Sequence, residues 1–140
     1  MTSDDLEVLE PVERAYTESL GLEPALSLSS LTFYARSGHS FVAVTDGQVS
    51  GFVLAHAVWN GTRPAVYVNH LAVADVQDGG SREALLEAVT KSAYDAAVYD
   101  IRVLHPQRDE AGQAALDTKQ YKEAPITVYE RILGSRGQET

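Results

Sequence analysis

A chain of 140 residues with 20 acidic against 11 basic side chains, a net charge of −9 and no cysteine is long enough to bury one core. Its composition excludes disulfides, thiol nucleophiles and cysteine-held zinc or iron–sulfur centres, and its acidity disfavours a grip on phosphate backbones, so no nucleic-acid partner is expected. No run of eighteen apolar residues offers a membrane span, and Met1 to Asp5 lacks the basic and apolar regions of a signal peptide, so a cytoplasmic protein with no membrane partner is expected.

In chain order, Leu6, Val8 and Leu9 suggest a short strand. Pro11 suits the first turn of a helix that runs to about Leu20 and is closed by Gly21. Apolar residues between Ala25 and Arg36 predict a second helix, with Gly38 just beyond its end. From Ser40 the period changes to two. Phe41 to Thr45 and Val49 to Trp59 read as strands joined by an Asp46–Gly47 hairpin turn, and Asn60–Gly61 leads into a third strand, Ala65 to Val73. A helix follows from Ser81. Val98 to Leu104 then reads as a strand, Asp109 as the cap of a helix reaching about Lys119, and Ile126 to Leu133 as a last strand. The expected domain spans 1–133, and Gly134 to Thr140 reads as a flexible polar tail.

Between the third strand and the long helix lies Gln77-Asp78-Gly79-Gly80-Ser81-Arg82. Glycines permit positive φ and a close backbone approach, Ser81 is placed to cap the helix, and a helix N-terminus attracts a pyrophosphate. Neither GxxxxGK(S/T) nor GxGxxG occurs in the chain. There is also no HxxxH, no HExxH and no EF-hand loop, so no metal is expected.

The element order, with VYVNHLAV, a glycine turn and then ALLEAV, resembles the GNAT acetyltransferase superfamily along nearly the whole chain. FYARSGHSF, AVWNG, KSAYDAAVYD and RILGSRG are similar to a smaller, uncharacterised bacterial GNAT-like group. The resemblance implies an α+β fold, a central mixed and mostly antiparallel sheet with helices on both faces, and acetyl-CoA as cofactor. The family's turn has the form Gln/Arg-x-x-Gly-x-Gly/Ala. Gln77 and Gly80 match it, with Gly79 and Ser81 between and beside them, whereas Arg82 replaces the small residue that lets a phosphate come close. The resemblance places the pantetheine arm along the backbone of Leu71, Ala72 and Val73, and leaves Arg82 either a side-chain phosphate contact or an ordinary solvated residue.

Catalysis carries over less completely. Many members have a glutamate where this chain has Asn69 and a tyrosine near Leu116. Asparagine cannot take a proton and leucine cannot give one. The candidate catalytic residues are therefore Asn69 and His70, adjacent on one strand and expected to face opposite ways, and His105, at the carboxyl end of the parallel strand where ligands of α/β sheets bind. His56 is expected on a half-buried strand face. Two functions stay open: an acetyl-CoA-dependent N-acyltransferase acting on a small-molecule or peptide amine, and a catalytically degenerate GNAT-fold ligand-binding or protein-interaction module. A filled cleft between the Val73 and Val98 strands would favour a structural homodimer.

Overall fold

Leu9, Val12 and Tyr16 recur at helical spacing and are buried on one face of α1, Leu6–Leu20. The strand expected at Leu6 to Leu9 does not form. A 3-10 turn, Ser3–Asp5, leads into α1 instead, fastened by the Thr2 amide donating to the Asp5 carboxylate at 2.8 Å. Pro11 thus lies inside the helix rather than in its first turn, on an exposed side where water can satisfy the carbonyl its ring leaves unpaired. Gly21 closes α1 at φ 67°. The second helix, α2, is shorter than its apolar pattern, Leu28–Ala35, because Ser27 caps it by accepting from the Ser30 amide at 3.1 Å. The structure, a computed structural model, describes residues 1–134.

The period-two region forms the meander β1 (Phe41–Thr45), β2 (Gln48–Trp59) and β3 (Pro64–Val73), all antiparallel. Asp46 and Gly47 both take positive φ, 53° and 80°, as the tight β1–β2 hairpin turn requires. After α3 (Gly79–Asp95) the chain returns as β4, parallel to β3, giving the order β1-β2-β3-β4. β4 spans only Ile101–Val103 rather than Val98 to Leu104: Val98 is drawn into the core and its amide bonds Ala93 at the end of α3. α4 (Glu110–Thr118) starts at Asp109, which accepts from the Gly112 amide at 3.0 Å.

The final strand expected over Ile126 to Leu133 does not form: the segment has no strand partner among the described residues and is exposed. Of the polar tail expected from Gly134 on, residues 135–140 lie outside the described residues. No helix among the described residues is long and apolar enough to cross a membrane.

Two apolar layers sandwich the sheet. On one face Val53, Ala55, Val66, Val68 and Leu71 meet Leu85, Leu86, Val89 and Ala93 of α3. On the other, Phe52, Leu54, Ala72 and Val73 meet α1 and Leu31 of α2. Gly51 on β2 allows α3 to come this close: a Cβ there would stand 2.8 Å from the Ala72 carbonyl oxygen and 3.2 Å from Leu85 Cδ1. Gly51→Ala is therefore expected to destabilise the chain by about 1–3 kcal/mol, read as a lower urea midpoint at unchanged slope.

Candidate functional site

The turn after β3 is helical from its first glycine. Asp78, not Ser81, caps α3: its carboxylate accepts from the Ser81 amide at 2.9 Å, and Gly79 and Gly80 form the first helical turn without positive φ. Carboxylate and serine are equally good caps, and the earlier of the two takes the position because Asp78 keeps an extended ψ of 91°. Ser81 faces inward, its hydroxyl 2.8 Å from that of Ser50 on β2.

Two amides of the turn are engaged by the chain's own carboxylates. Asp75 accepts from the Gln77 amide at 3.0 Å, and Asp78 accepts from the Ser81 amide at 2.9 Å. Burial raises the Asp78 pKa, but hydrogen bonds from the Ser81 hydroxyl and amide, the charge of Arg82 and the Gly80 amide outweigh it, leaving the carboxyl below its usual value. A negative charge thus already sits at the helix's positive end.

Arg82 is neither solvated nor free to meet a phosphate: its side chain is wholly buried. The guanidinium folds back on the turn, donating from Nη1 to the carbonyls of Val76 at 2.6 Å and Asp78 at 3.3 Å, and from Nη2 to Asp109 Oδ1 at 2.7 Å. Its Nε has no partner among the described residues. The other oxygen of Asp109 accepts from the Tyr16 hydroxyl at 2.7 Å and lies 2.9 Å from His105 Nε2. Burial raises the Asp109 pKa, but the hydrogen bonds from His105, Tyr16, Arg82 and the Gly112 amide outweigh it and hold the carboxyl far below the usual carboxylate range. Tyr16 is pushed up, by burial first and by Asp109 second. Gly112 leaves the room this needs, since a Cβ there would strike His105 Nε2 and the Asp109 carboxylate.

Tyr16 belongs to α1 on one face of the sheet and Arg82 to α3 on the other, so Asp109 joins the two layers. It does so where the sheet has opened: β4 pairs with Val66 to Val68, and past the Leu104 amide to Val68 carbonyl bond no strand of the described residues lies on that side of β3. The free edge of Leu71, Ala72 and Val73, whose opposite edge pairs with β2, faces this opening. A cofactor arm that followed that edge would reach a turn already filled by the Arg82 guanidinium and fronted by Asp75 and Asp78. The residues present do not fit the pyrophosphate of acetyl-CoA.

The three candidate catalytic residues are not brought together. Asn69 is the extra residue of a β-bulge, since Leu54 pairs with His70 and Ala55 with Val68. The bulge puts Asn69 and His70 on the same face, against the alternation expected from sequence. Asn69 Nδ2 donates to the Tyr34 hydroxyl at 2.9 Å and lies 3.2 Å from His56 Nδ1. His70 Nε2 sits 2.6 Å from Glu13 of α1. Burial raises the Glu13 pKa, but the hydrogen bond and charge of His70 and the backbone amides of Ala25 and Leu26 bring it below its usual value. His105 serves Asp109. His39, in the turn before β1, bonds Ser92 through Nδ1 at 2.9 Å, and burial lowers its pKa.

Sequence reasoning missed Glu13, Tyr16 and Tyr34. The available signal was polar residues on the apolar stripe of α1, where Glu13, Tyr16 and Thr17 fall within one turn and are all buried. His56 also lines a shallow groove of about 560 Å³ with Ser29, Thr32, Phe33 and Arg36. Among the described residues no group of three or more His, Cys, Asp or Glu is placed to hold a metal.

Removing one partner of a buried pair strands the other, at a typical cost of about 3–5 kcal/mol. Arg82→Met should lower the denaturant midpoint accordingly, and adding Asp109→Asn should cost less than the sum of the two single changes. Asp109 and Glu13, both depressed in the folded state, contribute stability that is complete above the unfolded carboxylate pKa of about 4 and is lost as pH falls below it. Denaturation midpoints should therefore drop below about pH 4, and Asp109→Asn should flatten that drop.

No curated protein is significantly similar in sequence. Among solved structures, the wild-type protein TTHA1254 of Thermus thermophilus is 34% identical, with a TM-score of 0.77 over 97% of this chain and 96% of that one. A ribosomal-protein-alanine N-acetyltransferase from Brucella melitensis biovar Abortus 2308 shares 16% identity at a TM-score of 0.72, covering 95% and 96%. The aminoglycoside N-acetyltransferase AAC(6′)-Iy, solved with CoA, shares 18% at 0.70, covering 94% and 91%. The last two likenesses show the fold, which is that of the GNAT acetyltransferases. The model of a family described as a protein of unknown function, DUF1999, matches residues 16–139, and this chain belongs to that family.

Proposed function

We propose that this protein is a GNAT-fold interaction module that does not use acetyl-CoA for acyl transfer. The observation that carries this reading is Arg82, which stands where the family keeps a small residue and is buried in the turn against Asp109 and the Val76 carbonyl. Three further features support it. Asp75 and Asp78 engage the Gln77 and Ser81 amides of the turn, Asn69 cannot act as a base where many GNAT members carry glutamate, and Leu116 stands near the GNAT tyrosine. The module keeps the sheet and both helical layers, and it presents large apolar side chains to solvent, among them Trp59 and Tyr99.

One observation favours N-acyl transfer as a second reading. Asn69 links Tyr34 to His56 Nδ1, and His56 borders the groove beside the bulge, where an imidazole could take a proton from an acceptor amine. On that reading His56→Ala should abolish release of CoA thiol.

Calorimetry and thermal melts with millimolar acetyl-CoA and CoA decide between the two. A ligand at a hundred times its Kd contributes about 2.7 kcal/mol, several degrees for a chain of this size. We expect no heat, no shift, and no thiol release over a panel of small amines and peptide N-termini. Thiol release that is lost in His56→Ala would overturn the module reading, and a shift of several degrees without release would overturn only the misfit at Arg82.

A further inference from the structure

The groove beside α2 lies on the side of β2 away from β3, and so away from the opening that Arg82 and Asp109 fill. β1 begins at Phe41, opposite Val53, and reaches no further along β2. Ser40 ends the pairing with its side chain: its hydroxyl accepts from the Ala55 amide and donates to the Ala55 carbonyl, both at 3.0 Å. The backbone groups of Ala55 therefore face away from β3, and two residues on those of Ala57 do the same, with no partner among the described residues. One wall of the groove is the face of α2 that carries Ser29, Thr32, Phe33 and Arg36, at helical spacing; the other is His56 and Ala57. Its volume of about 560 Å³ is that of a small-molecule site.

The polar groups of this groove favour one sign of charge. Asn69 Nδ2 lies 3.2 Å from His56 Nδ1, and an amide nitrogen can only donate. Nδ1 therefore accepts, the imidazole carries its proton on Nε2, and Nε2 has no partner among the described residues. The ring thus offers the groove an N–H donor, beside the outward Ala57 amide. Arg36 is exposed and forms no ion pair among the described residues. No carboxylate lines the groove, although the chain has 20 acidic side chains against 11 basic ones. The apolar wall is Phe33, 56% exposed and packed edge-on to His56 with ring centroids 5.3 Å apart.

We propose that this groove binds a carboxylate carried on an aromatic ring, its oxygens held by Arg36 and the His56 Nε2–H and its ring set against Phe33. A guanidinium fork matches a carboxylate in shape and charge, and a flat ring covers the phenyl face that water now meets. The inference is independent of the acetyl-CoA question: it is tested without CoA, and its failure would leave the Arg82–Asp109 pair untouched.

Titration of the full chain with 2-naphthoate, followed by amide NMR, should give saturable shifts at Thr32, Arg36 and Ala57. The neutral isostere 2-naphthamide, and acetate, which lacks the ring, should each bind about tenfold more weakly or worse. Arg36→Met, a change at an exposed position, should weaken 2-naphthoate by a similar factor at an unchanged melting temperature, and Arg36→Lys should restore part of it. Long-range proton–nitrogen spectra of the free chain at about pH 8, above the ordinary imidazole range, should find the His56 proton on Nε2. Shifts absent from these three amides, equal binding of 2-naphthamide, indifference to Arg36→Met, or a proton on Nδ1 would each overturn the proposal.

Discussion

The buried ion pair between Arg82 and Asp109 is the constraint on which the arrangement of the helices depends. A guanidinium and a carboxylate out of contact with water are costly unless they are paired and most of their hydrogen-bonding groups are met, which Arg82 achieves at both terminal nitrogens though not at Nε. Here that requirement reaches into every layer: α1 supplies Tyr16, the turn before α3 supplies the Val76 and Asp78 carbonyls, and the segment before α4 supplies His105. Asp109 also caps α4, so the same carboxylate sets where that helix begins and which way it leaves the sheet. The opening between β3 and β4 is the place where the Arg82–Asp109 pair joins the two helical layers.

Much of the architecture is legible in the residues. The period-two run from Phe41 to Val73, broken by Asp46–Gly47 and Asn60–Gly61, reads directly as the meander, and Asp109 reads directly as a cap. The start of α1 does not, because Leu6, Val8 and Leu9 fit alternation as well as helical spacing, and only the burial of Leu9 with Val12 and Tyr16 settles which period governs. The bulge at Asn69 leaves no trace in sequence, since one extra residue in a ladder changes facing without changing composition.

The site is less legible for a related reason. Arg82 next to a helix start is by default a solvated residue, and its burial depends on Asp109, 27 residues later, and on Tyr16, which lies 93 residues from Asp109. No local pattern announces a convergence of that range. The glycines that suggest a ligand cradle are ordinary members of the first turn of α3. The segment from Ile126 to Leu133 shows the converse: its composition is that of a strand, yet it pairs with no strand among the described residues.

The separation of 93 residues between Tyr16 and Asp109 also bears on how the molecule assembles. Closing a loop of that length carries an entropy cost that local hairpins avoid, so the meander and α3 can organise before the junction closes. Until it does, α1 is held to the sheet by apolar contact and the Glu13–His70 bond alone. The junction is thus the natural late step of folding, and amide exchange in α1 should report its opening separately from loss of the sheet.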